Sequence, residues 1–151
     1  MQPLILAFLF AVSSFAQDVI FAGQPTADQL AEYAKGGVKT VINLRTPEEM
    51  QKLGFDERSV VEKAGMRYVH VPFPAQPLKD EQLSEVMKLL RKAAPDNKVV
   101  LHCATSNRVG YVWGLYQAQQ KSASLEKAME EARKAGLKSP VLEKHLRERL
   151  N

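Results

Sequence analysis

The sequence predicts an α/β fold, a mainly parallel central sheet flanked by helices, in a single domain. Short apolar runs alternate with amphipathic segments along the chain, which implies right-handed crossovers and parallel pairing. One of these runs, Lys98-Val99-Val100-Leu101-His102, is apolar enough to be a central strand, and it ends on the only cysteine, Cys103. The length of 151 residues suits one domain with a real core and not two.

Each element has its own local signal. Residues 19–22 form a short apolar piece suited to an edge strand. Thr26 and Gln29 have the spacing of a capping box, so a helix is expected from Ala27 to about Lys35, stopped by Gly36-Gly37. Residues 38–44 alternate as a strand, with Val38, Thr40, Ile42 and Leu44 on one side and Val41 on the other. Thr46-Pro47-Glu48-Glu49 opens a short helix, and Arg45 is placed to pair with Glu48 or Glu49. A helix over 56–64 stops at Gly65, and a strand over 67–71 ends at Pro72 and Pro74. The helix over 80–94 has Leu83, Val86, Met87 and Leu90 in one apolar stripe. After the central strand, 108–120 is a helix with Val109, Val112, Trp113 and Tyr116 as its core stripe. Gly110 and Gly114 cost it about 1 kcal/mol each in propensity, which makes sense if their bare side lies close against the sheet. Helices over 124–135 and 140–150 finish the chain.

Residues 4–12 are an apolar run too short to span a bilayer, and Ser14 and Ala16 follow it at the spacing of a signal-peptidase site. The expected organisation is a secretory signal over 1–16 and one domain over 17–151, exported to a bacterial periplasm, with no other membrane segment. The net charge of +4 is spread out and lacks a basic stripe with stacking aromatics, so no nucleic-acid partner is expected. A single cysteine forms no internal disulfide, and in an exported chain it reads as a reactive thiol.

The stretch Cys103-Ala104-Thr105-Ser106-Asn107-Arg108-Val109-Gly110 is the candidate site. A strand, a tight loop and a helix start follow in order, with a thiol at one end and a guanidinium at the other. Loop amides and the helix dipole make such a turn an anion cradle, a field that favours the thiolate. The sheet-end position is where α/β folds bind ligands. His102 points to the opposite face of its strand, where it supports the loop by hydrogen bonding or helps to lower the thiol pKa. His70, His102 and Cys103 lack compact ligand spacing beside an arginine, so no metal is expected.

His102-Cys103 followed by an arginine and a helix resembles the signature of the cysteine-dependent protein tyrosine and dual-specificity phosphatases. More closely, the chain resembles the phosphatase-like domain named after beta-lactamase hydrolase-like proteins. That resemblance rests on Gly23-Gln24-Pro25-Thr26, Val41-Ile42-Asn43-Leu44-Arg45, Val69-His70-Val71-Pro72, the Cys103 loop and Ala135-Gly136-Leu137. It implies a phosphatase without cofactor acting on a phosphorylated or other anionic substrate. Cys103 would be the nucleophile, Arg108 the oxyanion ligand, and the amides of residues 104–109 the cradle.

The chain departs from the phosphatase pattern in four places. Four residues separate Cys103 from Arg108, where the usual loop has five. Val109 replaces the usual hydroxyl residue, and Ser106 stands where a glycine is common. Asp80 is the sole acid in Phe73-Pro74-Ala75-Gln76-Pro77-Leu78-Lys79-Asp80, so it is the candidate general acid, although capping the next helix is its plainer role. The short loop also resembles that of rhodanese-type sulfurtransferases, in which Cys103 would carry a persulfide. A third reading is an anion-binding module with little turnover.

Overall fold

The computed structural model describes residues 18–74 and 79–151. The expected signal over 1–16 lies outside the described residues. The four strands are β1 (Val19–Ala22), β2 (Val38–Asn43), β3 (Arg67–His70) and β4 (Lys98–His102). They form one parallel sheet in the order β1-β4-β2-β3, as the alternation predicts. The helices are α1 (Ala27–Lys35), α2 (Pro47–Gln51), α3 (Glu57–Lys63), α4 (Asp80–Arg91), α5 (Asn107–Gln120), α6 (Leu125–Lys134) and α7 (Pro140–Leu150).

Local chemistry accounts for the helix starts. Thr26 and Thr46 both make complete capping boxes, with Gln29 and Glu49 as the reciprocal partners. Asp56, Ser124 and Ser139 each accept from the backbone N–H three residues on. Helix α4 has only the reciprocal half: Gln82 Oε1 accepts the Lys79 N–H at 3.3 Å, while Lys79, its N-cap, makes no side-chain cap bond and leaves Asp80 in the first turn rather than at the cap.

The sheet divides two cores. Leu30, Val41, Val61, Met66 and Val100 pack under α1 and α3. Ile42, Leu44, Val99, Leu101 and Cys103 face the larger core, filled by α4 to α7. Val38 belongs with Val41 and not, as alternation alone predicts, with Ile42. The pairing of β2 with β4 shifts between Val38 and Thr40, and that irregularity turns the strand's first residue to the other face.

Helix α5 is buried on nearly every side. Its glycines do not face the sheet, contrary to the expectation from sequence. A Cβ on Gly110 would lie 2.4 Å from the Leu137 backbone nitrogen and 2.5 Å from the Ala132 carbonyl oxygen. On Gly114 it would lie 2.7 Å from Leu146 and 2.9 Å from the Ala132 methyl. The bare side of α5 therefore receives α6, α7 and their connection. Tyr116 is buried as expected, but Trp113 is only half-buried. Its ring bridges Phe21 of β1 at 4.8 Å and Tyr116 at 5.0 Å.

The backbone atoms facing Gly110 cannot yield as a side-chain tip could. Gly110→Ala should therefore lower stability by about 2–3 kcal/mol in denaturant unfolding. Gly54→Ala, where nothing lies within 4 Å, should change it by less than about 0.5 kcal/mol.

Candidate active site

The strand register brings the site together. Ala22, His102 and Asn43 are register partners across β1, β4 and β2, and His70 continues the row on β3. Cys103 is the next residue on β4, at the carboxyl edge of the sheet. Its N–H donates to the Ala22 carbonyl at 3.4 Å, and Leu44 N–H donates to the His102 carbonyl at 2.9 Å. The sulfur faces the larger core and has no solvent exposure.

The loop that follows is fixed from three sides. Ala104 carbonyl accepts from Gln24 N–H at 3.2 Å, and Gly23 lies close enough that a Cβ there would be 3.0 Å from that oxygen. Ser106 is left-handed (φ 65°), an uncommon conformation for a residue with a side chain. Gly136, itself at φ 121°, leaves the space that Ser106 occupies: a Cβ on it would meet Ser106 Cβ at 2.4 Å. Asn107 Oδ1 accepts the N–H groups of Lys138 and Ser139, both at 2.7 Å, and joins the loop to the start of α7. Ser106 makes no side-chain cap bond to α5, so the first-turn amides of that helix stay open to a ligand.

Arg108 sits in a defined fork. Its Nη1 donates to Glu49 Oε2 at 2.8 Å and to the Phe73 carbonyl at 2.8 Å, while Nη2 donates to Glu49 Oε1 at 2.7 Å. A guanidinium has one N–H on Nε and two on each Nη. These contacts use both of the Nη1 donors and one on Nη2. The Nε–H and the remaining Nη2–H share one edge, which among the described residues is left toward the Cys103 sulfur and has the geometry for a bidentate anion. Arg108 is raised above its ordinary pKa, by Glu49 first and then by the Cys103 sulfur beside it. The same fork holds Glu49 down to about 2, chiefly through the Arg108 hydrogen bonds. Arg45 also reaches Glu49, Nε to Oε1 at 3.6 Å, which is one of its two expected partners.

A cleft of about 570 Å³ opens over Arg108. Thr105, Asn107 and Ser139 line one part of it, and Pro74, Val141 and Leu142 form an apolar wall. Val141 is 59% exposed, the exposed large apolar side chain among the described residues.

The structure brings Cys103, Arg108, Val109, Gly110 and the loop residues 104–107 into one place. It does not bring Asp80 there. The Asp80 side chain is 95% exposed, paired with Arg149, and shares a cleft with Gln119 and Gln120 at the far end of α5. Asp80 opens α4, and its charge is already matched by α7. Residues 75–78 of the preceding loop lie outside the described residues. His102 does face away from the thiol, as expected, but its main partner is not the loop. Its Nε2 is 3.0 Å from Glu57 Oε1, and its Nδ1 is 3.3 Å from the Cys103 carbonyl. His70 meets the Arg45 carbonyl at 2.6 Å, so His70, His102 and Cys103 do not converge. Glu49 on Arg108 and Glu57 on His102 are not legible as site residues, because both look like ordinary helix-start acids. Asn107, expected in the anion loop, also ties that loop to the start of α7.

Comparison with known proteins gives a family. The model of the beta-lactamase hydrolase-like protein, phosphatase-like domain, matches residues 11–120, so it stops short of Ala135-Gly136-Leu137. The beta-lactamase hydrolase-like protein of Xylella fastidiosa is 27% identical over 96 residues, 62% of this chain and 22% of that protein. The chain thus spans about a fifth of that relative's length. Among solved structures, the active form of Tk-PTP superposes with a TM-score of 0.71 at 24% identity, covering 87% of this chain and 90% of that one. TpbA of P. aeruginosa, solved in complex with phosphotyrosine, gives 0.61 at 20% identity, covering 89% and 86%.

The fork has a pH signature. Glu49 is depressed from 4.5 to about 2, so its contribution is present above pH 4.5 and lost as pH falls toward 2. Glu49→Gln should cost about 1–2 kcal/mol in thermal or urea unfolding at pH 6–7, and wild type and variant should converge near pH 2.

Proposed function

The chain belongs to the family of the beta-lactamase hydrolase-like phosphatase domain, phosphoric monoester hydrolases by class, and we propose that it works through a phosphocysteine at Cys103. The Cys103 thiolate attacks phosphorus, the bond to the leaving oxygen breaks, and that oxygen departs with the electron pair. Water then attacks the phosphocysteine, releases inorganic phosphate and returns the thiolate. Arg108 binds two phosphoryl oxygens through its Nε and Nη2 edge, and the amides of residues 104–109 receive the charge. The observation that carries this reading is the guanidinium edge that the Glu49 fork leaves turned to the Cys103 sulfur.

Proton supply narrows the substrate. Glu49, the carboxylate at the cleft, is ionised at neutral pH and donates no proton. Asp80 is directed elsewhere. A leaving group of low basicity is therefore favoured, and the apolar wall of Pro74, Val141 and Leu142 suits an aryl ring. The phosphotyrosine held by TpbA, a protein of the same fold, is an aryl phosphate of this kind. Export of a mature domain over 17–151 belongs to the same proposal, and amino-terminal sequencing of the secreted chain tests it by finding Gln17 first.

A second reading keeps one specific observation, the four-residue spacing from Cys103 to Arg108. In it Cys103 carries a sulfur atom as a persulfide. Aryl phosphate and thiosulfate assays separate the two. The phosphatase reading predicts aryl phosphate hydrolysis that Cys103→Ser abolishes. It also predicts that Arg108→Lys, which keeps charge and loses the fork, lowers kcat/KM by about 100-fold or more. Activity that survives Cys103→Ser, or cyanide-dependent thiocyanate release without phosphate release, contradicts it.

A further inference from the structure

The loop after Cys103 borders a second hollow. Beside Thr105 and Ser106, a groove of about 530 Å³ lies between β1 and the turn that joins α6 to α7. Ile20 and Phe21 supply its apolar part. Its charged lining side chains, Arg133, Lys134 and Lys138, are all basic. Thr105 lines this groove and also the cleft over Arg108, so it forms the ridge between the two.

The three cations are not equivalent. Arg133 pairs with Glu143 of α7, and Lys134 pairs with Glu130 at 2.7 Å and Glu131 at 3.3 Å. Lys138 is exposed, and among the described residues its ammonium meets no carboxylate. A paired cation offers an incoming anion less, because the resident carboxylate offsets its field. The Lys138 backbone is fixed all the same. Its N–H donates to Asn107 Oδ1 at 2.7 Å, so the side chain starts from a point tied to the Cys103 loop. We propose that this groove is a second anion subsite, in which Lys138 receives a carboxylate close in sequence to the phosphotyrosine of an acidic polypeptide substrate.

This rests on the reading of Cys103 as the nucleophile of an aryl phosphatase. With the phosphoaryl group over Arg108, a chain that crosses the Thr105 ridge enters the groove. An extended chain advances about 3.3–3.6 Å per residue, so one ridge residue is crossed within about three positions. The methylenes of a glutamate then lie on Ile20 and Phe21, and its carboxylate meets Lys138. Arg133 and Lys134 add to the positive potential there. A contact this exposed is modest and screened by salt, so the preference it gives is about fivefold at low ionic strength.

Three phosphotyrosyl peptides of one sequence test the proposal, with glutamates before the phosphotyrosine, after it, or replaced by alanine. Two quantities are read: calorimetric affinity in a Cys103→Ser background and kcat/KM in chains that keep Cys103. One glutamate peptide should exceed the alanine peptide by about fivefold in both. Lys138→Ala and about 0.5 M salt should each bring that ratio close to one, and Lys138→Glu should turn it against the glutamate peptide. Each ratio is taken within one variant, so general damage to the loop cancels. Equal treatment of all three peptides by a chain that hydrolyses them overturns the subsite and leaves the phosphatase reading standing. So does a preference that Lys138→Ala leaves intact. A Cys103→Ser chain that binds none of the peptides also overturns it. A Lys138-dependent binding preference without phosphate release from any peptide supports the subsite and counts against the phosphatase reading.

Discussion

The fork between Glu49 and Arg108 is the interaction on which the site depends. It ties α2 to α5 and, through the Phe73 carbonyl, to the chain leaving β3. A free arginine side chain samples many rotamers, and fixing it costs about 1–2 kcal/mol of side-chain entropy. Here that cost is met within the fold, so an arriving anion finds the guanidinium edge already aimed. The same fork has a chemical consequence. It commits Glu49, a carboxyl that lines the cleft, to the carboxylate form, where it holds Arg108 and donates no proton. Under the proposed phosphatase reading, that favours leaving groups that need little help.

Around that fork the two faces of the sheet serve different ends. On the face under α1 and α3, alternation along β4 buries Val100 and then His102, whose ring meets the buried Glu57 carboxylate. On the other face Leu101 and Cys103 meet the helix that presents Arg108. The loop between them holds its shape through contacts far along the chain, Gly136 against Ser106 and Asn107 against Lys138 and Ser139. This explains why α5 carries glycines on the side of α6 and α7: those helices must come close for their connection to reach the loop.

The fold and the placement of Cys103 beside Arg108 are legible in the sequence because each leaves a local mark. Capping boxes at Thr26 and Thr46, the apolar run into His102 and the spacing from Cys103 to Arg108 are all short-range patterns. What the sequence hid was tertiary. Glu49 and Glu57 both look like acids placed for a helix dipole, and nothing nearby distinguishes a carboxylate that turns inward to meet a residue 59 positions away. The side of β2 on which Val38 falls was misread because a register shift is a property of the strand pair, not of one strand. Asp80 is the only acid in its loop, yet its position on α4 and its pairing with Arg149 carry it away from the thiol.

The most direct test of the account is to trap the covalent intermediate. Purified chain is mixed with an aryl phosphate, quenched in acid within the first turnover, and digested for peptide mass spectrometry. The account predicts a phosphoryl group on Cys103, absent from Cys103→Ser and strongly reduced in Arg108→Lys. An unmodified Cys103 during active hydrolysis, or a phosphoryl group on any other side chain, would contradict it.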